Sequence, residues 1–86
     1  MTKRERLERE GISSHGEIVA LKKKFWQSSR NTTDWDVTLR FVTASGEHVE
    51  SKQRIPFLAW SPPEVGGVLA IRYDPQNPKE WVDESR

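Results

Sequence analysis

The sequence predicts an all-β fold: a small five-stranded, barrel-like domain of the OB-like or SH3-like kind, with a short N-terminal helix. Strand-like segments recur through most of the chain and are separated by polar or Pro- and Gly-rich turns. The 86 residues also include four tryptophans. An open sheet of two or three strands could not bury four such rings, whereas a closed or nearly closed barrel could.

The clearest strand lies at residues 35–41, where Trp35, Val37, Leu39 and Phe41 alternate with polar residues. An alternation with period two is typical of a strand with one buried face. Residues 44–47 then form a hairpin turn, with Gly46 available for a positive φ. Residues 48–54 return as a polar strand, which predicts an edge position or a solvated face.

The remaining strands are shorter or less regular. Residues 17–24 are β-prone and continue into Phe25 and Trp26, and the polar residues 27–33 form an exposed connection. Residues 68–73 are a nearly continuous apolar run and predict a central strand. Asp74 and Pro75 end that strand, because proline lacks the backbone donor that a strand needs. We also expect the Asp74 side chain to bond the local backbone of a rigid turn. Residues 80–83 close the barrel.

The first fifteen residues have a different character. Thr2 and Glu5 fit a capping box, opposite charges recur at i,i+4, and Gly11 is a helix stop. Leu7 is the only apolar residue that this helix offers to the rest of the protein, so we expect the helix to fray unless an upstream segment or a partner holds it. Residues 1–15 are therefore predicted to be a short charged helix and lead-in, and residues 16–86 the barrel-like domain.

Composition excludes several classes of function. Fourteen basic residues against thirteen acidic ones give a net charge of +1, whereas a dedicated nucleic-acid binder carries clustered basic excess. The absence of cysteine excludes disulfides, thiolate metal sites and cysteine nucleophiles. No apolar run reaches the length of a transmembrane helix or a signal peptide. We expect a soluble chain that is a monomer in isolation.

No catalytic constellation emerges from the ionisable residues. We expect His15 and His48 to be surface residues, because neither neighbourhood shows the spacing of metal ligands. The sequence around Ser13 and Ser14 lacks a nucleophile elbow. The acids could meet in space, but a Trp-rich barrel has little room for a pocket that would perturb their pKa values. The sequence therefore predicts no enzyme activity, no cofactor and no metal; the acids concerned are Asp34, Asp36, Asp74, Glu80 and Asp83.

Two candidate interaction surfaces remain. Residues 55–67 read as a loop with three prolines, yet Phe57, Leu58 and Trp60 make it apolar. These three side chains either cover the end of the barrel as a lid, which we favour, or form an exposed patch for a partner or membrane. The second candidate is a basic groove with stacking rings for single strands. Its members are Lys22, Lys23, Lys24, Phe25, Trp26, Arg40, Lys52 and Arg54, although these lysines could also simply decorate a solvated strand.

Several segments resemble the bacterial family known as domain of unknown function 3592. The resemblance covers about Glu8 to Val82, and the segment from Tyr73 through Asp74 and Pro75 to Asn77 and Pro78 is its most specific part. The other matching segments are Gly16–Val19, the alternating residues 35–41, Val65–Gly66 and residues 68–73. The resemblance implies a domain beside transmembrane helices and supplies no catalytic residue.

Together these observations predict a non-catalytic interaction or structural module. The resemblance implies that it is the soluble part of a bacterial membrane-associated protein of the cell envelope. Its partner would be a protein or a membrane-proximal surface. The alternative is an OB-like module that binds nucleic acid or oligosaccharide, marked by Lys22, Lys24 and Arg40.

Overall fold

A computed structural model of the protein describes residues 2–24 and 31–84. Five strands form a single antiparallel sheet in the order β3-β2-β1-β4-β5, which curls into a nearly closed barrel. The predicted all-β, barrel-like fold with a short N-terminal helix is confirmed. The elements are α1 (Lys3–Glu10), β1 (Ile12–Lys23), β2 (Thr32–Val42), β3 (His48–Leu58), β4 (Val68–Asp74) and β5 (Asn77–Asp83).

The long strand β1 changes its partner along its length. From Glu17 to Lys23 it pairs with β2, and from Ile12 to Glu17 it pairs with β4. An irregularity in the β1–β2 register lies between Ile18 and Ala20. Bulges of this kind bend a strand and increase its twist, so this one helps curl the sheet. β1 begins at Ile12, earlier than the predicted start, because pairing with β4 extends the strand through polar residues.

The outer strands β3 and β5 approach each other to close the barrel. The Ser51 hydroxyl donates a hydrogen bond of 2.9 Å to the backbone oxygen of Lys79. The predicted edge position of the polar strand at residues 48–54 is confirmed, since β3 is the last strand on its side of the sheet.

The barrel interior is filled by alternate side chains of all five strands. The Phe41 and Tyr73 rings pack with centroids 5.4 Å apart, and Trp81 is fully buried. Burying each Val, Leu, Ile or Phe contributes about 1.5–3 kcal/mol, so this cluster carries most of the stability. Its members are Ile18, Val37, Leu39, Phe41, Val49, Ile55, Phe57, Ile71, Tyr73 and Trp81.

The predicted loop at residues 55–67 is wrong in its first part, because β3 continues to Leu58. Pro56 is compatible with this strand, since proline is tolerated where a sheet edge needs no donor. Ile55 and Phe57 alternate inward and are buried. Phe57 therefore belongs to the core as part of β3, so this residue is neither a lid in a loop nor part of an exposed patch.

The helix α1 packs on the outer face of the β4–β5 hairpin. Thr2 caps it as predicted, because its hydroxyl accepts a bond of 3.2 Å from the Glu5 N–H. Leu7 is fully buried, and Val82 is almost so; both lie outside the central cluster. Arg4 and Arg6 also bond to residues of β4 and β5, so Leu7 is not the only residue that connects the helix to the barrel.

Candidate functional site

Arg6 connects the helix α1 to the β4–β5 hairpin through two carboxylates. Arg6 Nη1 lies 2.6 Å from Asp74 Oδ2, and Arg6 Nη2 lies 2.7 Å from Glu80 Oε2. The hydrogen bond from Arg6, helped by one from the Gln76 N–H, holds the pKa of Asp74 below its ordinary value. The hydrogen bond from Gln76 also confirms the predicted role of Asp74 in its turn. This cluster ties α1 to the hairpin.

A second cluster surrounds Asp36 on the outer face of the sheet. Asp36 Oδ2 lies 2.9 Å from Lys24 Nζ, and Asp36 Oδ1 lies 3.6 Å from Arg54 Nε. The hydrogen bond from Lys24, followed by the charges of Lys24, Arg54 and Lys52, lowers the pKa of Asp36. Two of the cations proposed for a basic groove are therefore partly neutralised by one carboxylate.

Metal-ligating side chains do not cluster among the described residues. No group of three or more His, Asp or Glu side chains among residues 2–24 and 31–84 could hold a metal ion. His15 and His48 are exposed, as predicted. No helix in this part of the chain has the length and apolar character needed to cross a bilayer.

An exposed apolar turn follows β3. The Ala59 N–H donates to the Asn31 oxygen at 2.8 Å, and the Ser61 N–H donates to the Leu58 oxygen at 2.9 Å. This turn leaves Trp60 69% exposed and Leu58 41% exposed. The lid interpretation is wrong for these two residues, because neither is covered by the barrel or covers its core.

The strand registers bring two lysines and an arginine to the same end of the barrel. Lys22 pairs with Asp36, which pairs in turn with Arg54, and the Lys24 N–H donates to the Asp34 oxygen. Leu58 pairs with Thr32, the first residue of β2. We call this surface the apolar–basic end; it consists of Lys22, Lys24, Arg54, Leu58 and Trp60.

Arg40 does not belong to this end. It pairs with Glu17 and Glu50 in the opposite half of β2, and its guanidinium lies 3.1 Å from Glu50 Oε1. The predicted groove is therefore not assembled as one surface from the described residues. The predictions for Phe25 and Trp26 lie outside the residues that the structure describes.

A second surface was missed by the sequence analysis. A groove of about 600 Å³ opens beside β1, where β1 and β2 diverge. A smaller pocket of about 140 Å³, lined by Ile12, Tyr73 and others, lies next to it along β1. We call the two together the trough. No periodicity signals it, because it arises from the register at which β1 leaves β2; the groove is lined by His15, Glu17, Arg40, Val42, His48 and Val68, among others.

No family model matches the sequence, and comparisons with curated proteins and with solved structures find no similar protein. The resemblance to domain of unknown function 3592 stays a prediction.

Proposed function

We propose that the protein is a non-catalytic interaction module of a membrane-associated protein, and that its apolar–basic end contacts an anionic membrane surface. The observation that carries the proposal is the exposure of Trp60, at 69%, next to the exposed Leu58. Tryptophan is enriched at membrane interfaces, where its ring lies at the level of the lipid headgroups. Leucine and tryptophan together can enter the boundary between headgroups and acyl chains.

The cations at this end support an anionic bilayer over a neutral one. Lys22 is exposed on β1, and Arg54 is exposed on β3. A basic side chain near an anionic leaflet contributes about 1 kcal/mol of attraction. Because Asp36 partly neutralises Lys24 and Arg54, we expect the attraction to be modest and sensitive to salt.

Vesicle co-sedimentation tests this proposal. The wild-type chain should bind vesicles of phosphatidylcholine and phosphatidylglycerol, and bind pure phosphatidylcholine vesicles much more weakly. Trp60→Ala should weaken binding about tenfold, since 1.4 kcal/mol of lost insertion energy is a factor of ten. Lys22→Glu should weaken binding to the anionic vesicles only.

The matched control is Val42→Ala, which changes an exposed apolar residue away from this end and should bind as the wild type does. All variants should melt as the wild type does, because the changed side chains are exposed. The proposal fails if anionic vesicles bind nothing at low salt, or if Trp60→Ala binds them equally well.

An OB-like module that binds nucleic acid or oligosaccharide is the second candidate, and the strand order favours it. β1, β2 and β3 are neighbours in sequence order, and β4 returns to the free side of β1, which is a Greek-key arrangement. A five-stranded Greek-key barrel is the OB architecture, whose ligands lie across strands β2 and β3. This supports an OB-like barrel over an SH3-like one.

The outward face of β2 and β3 is less suited to such ligands. It alternates in charge, with Asp36 and Glu50 beside Arg54, Arg40 and Lys52. Within the described parts of these two strands, no aromatic side chain faces outward, whereas single-strand binding relies on stacking rings. Tight binding of a fluorescent oligothymidylate near 50 mM salt, lost in Lys52→Glu, would favour this candidate over the membrane surface.

A further inference from the structure

Between Ile12 and Gly16, one edge of β1 has no strand partner among the residues that the structure describes. The Ile18 N–H donates to the Gly67 oxygen, and the Ile18 oxygen accepts from the Gly66 N–H, each at 2.8 Å. Ile18 therefore directs its backbone groups toward β4. Because alternate residues of a strand direct these groups to the same side, Ser14 and Gly16 also face β4, whereas Ser13 and His15 face away from it.

The other side of the sheet agrees with this assignment. The Glu84 N–H donates to the Ala70 oxygen at 2.8 Å, so Ala70 directs its backbone groups toward β5. Its neighbour Ile71 must then face β1, where Ser14 is its register partner. The two hydrogen bonds of Ile18 and the one at Ala70 thus give the same orientation for the first half of β1.

The end of β2 has a matching free edge. The Thr43 N–H donates to the Glu47 oxygen at 2.8 Å, so Thr43 faces the β3 side and Val42 faces β1. The β1–β2 pairing ends at Glu17 and Arg40. Beyond that pair, the backbone groups of His15 and of Val42 both face the trough. In the register of residues 2–24 and 31–84, no strand pairs with either edge there.

Exposed apolar side chains line the trough at several positions. Val42 is 48% exposed and Val68 is 63% exposed, and Ile12, at 37%, lines the adjoining pocket. At the far end, the Tyr73 hydroxyl accepts a hydrogen bond of 2.8 Å from the Ala44 N–H. The Ala44 N–H is the next donor after Val42 on this edge of β2, and it is already bonded to the Tyr73 hydroxyl. The free part of the edge therefore ends before Ala44.

We propose that the trough binds an extended peptide segment of a partner protein, which adds as a strand to the free edge of β1. Backbone donors and acceptors recurring along a strand edge are complementary to another extended backbone, and this mode of recognition recurs in peptide-binding domains. The stretch of β1 with one free edge, residues 12–16, spans about 16 Å and fits four or five peptide residues. Apolar side chains at alternate positions of that peptide would contact Val42 and Val68.

This binding site is independent of the proposed membrane contact, because the two surfaces share no residue. A nucleic acid or a lipid headgroup offers no alternating backbone donors and acceptors for the edge at Ser13 and His15. The charges in the trough are mixed, with Glu17 facing Arg40 in the register, so charge does not select the ligand. The free strand edge is the feature that selects an extended backbone.

Amide hydrogen exchange tests the premise on the protein alone. The amides of Ser13 and His15 should exchange quickly, because no strand of the described ranges pairs with the edge that they face. Those of Ser14 and Gly16 should be protected by β4. Equal protection of all four amides would mean that the edge is already occupied, and would overturn the proposal.

Peptide titration tests the ligand. The probe is a capped hexapeptide that alternates valine and threonine and carries a terminal lysine for solubility. It should shift the amide resonances of Ser13, His15 and Val42 in the ¹⁵N-labelled chain and slow exchange at His15. N-methylation of one alternate set of peptide amides should weaken binding at least tenfold, and methylation of the other set much less.

Two variants separate this trough from the apolar–basic end. Val42→Lys should weaken binding of the peptide about tenfold, whereas Trp60→Ala should leave it unchanged; both positions are exposed, so both variants should fold. The proposal is wrong if the peptide causes no shift in β1 at millimolar concentration. It is also wrong if neither pattern of N-methylation weakens binding.

Discussion

Arg6 and Asp74 lie 68 positions apart in the chain, yet Arg6 Nη1 approaches Asp74 Oδ2 to 2.6 Å. The other oxygen of the same carboxylate accepts a hydrogen bond of 2.8 Å from the Gln76 N–H. One side chain therefore both shapes the turn after β4 and fixes the position of α1. The turn and the helix are coupled through Asp74, so a change at this residue affects both.

The coupling predicts an acid-dependent loss of stability. Because the pKa of Asp74 is lowered in the folded state, its ionised form stabilises the fold above the unfolded pKa of about 3.9. That contribution is lost as the pH falls through the folded pKa. The free energy of unfolding, measured with urea between pH 5 and pH 2, should therefore fall less steeply in Asp74→Asn than in the wild type.

The control for this series is Glu64→Gln, which removes an exposed carboxylate of the β3–β4 loop and should retain the wild-type pH dependence. An equal slope in Asp74→Asn and the wild type would contradict the prediction. At pH 7, Asp74→Ala should destabilise the fold by about 0.5–2 kcal/mol, the usual cost of removing a side chain that caps the local backbone.

Leu7 should be the residue through which α1 contributes most stability. It is fully buried, and truncating a buried leucine to alanine costs about 2–5 kcal/mol. We expect Leu7→Ala to lower the free energy of urea unfolding by at least the lower figure. Leu58→Ala, which truncates an exposed leucine, should change it by about 0.5 kcal/mol or less. Similar values for both variants would show that the helix does not stabilise the barrel.

Gly66 should be intolerant of any L-residue for reasons of backbone conformation alone. Its φ is +92°, and a Cβ added there would meet no atom within 4 Å. Gly66→Ala should therefore cost about 1–2 kcal/mol through the left-handed backbone, as judged by thermal and urea unfolding. A chemically synthesised chain with D-alanine at this position should recover most of the loss. A fully stable Gly66→Ala variant would contradict the assigned conformation.

Fluorescence should distinguish the exposed indole of Trp60 from the buried one of Trp81. The emission lost in Trp60→Phe should be red-shifted and readily quenched by acrylamide, because this ring is mostly in water. The emission lost in Trp81→Phe should be blue-shifted and poorly quenched. If acrylamide does not quench the Trp60 component, the turn after β3 is covered in solution.

The sequence pattern predicted elements whose signal is local. The alternation from Trp35 to Phe41 identified β2, and the Asp74–Pro75 dipeptide located the end of β4, since both depend on neighbouring residues only. The extent of β1 and β3 was not predictable in this way. Ser13 and Ser14 became part of a strand because β4 pairs with them, and Pro56 remained in β3 because that strand lies at the edge.

The candidate surfaces were predictable only in part. Leu58 and Trp60 were identified because apolar residues in a proline-rich segment are unusual, but their exposure depends on where β3 ends. Phe57 was misassigned because one residue decides which side of a strand a side chain faces. The docking of α1 through Arg6 and the trough beside His15 depend on contacts between distant segments, which no local pattern contains.

The division of β1 between two partners also determines the order in which the barrel can fold. β2 and β3 are joined by a short turn and can pair as soon as both exist. The first half of β1, by contrast, can pair only once β4 has been made. Just before β1, the Gly11 oxygen accepts a hydrogen bond from the guanidinium of Arg72, 61 positions later. Closing such a long loop slows folding. Until β4 pairs with it, both edges of that half-strand are free, and free strand edges favour aggregation.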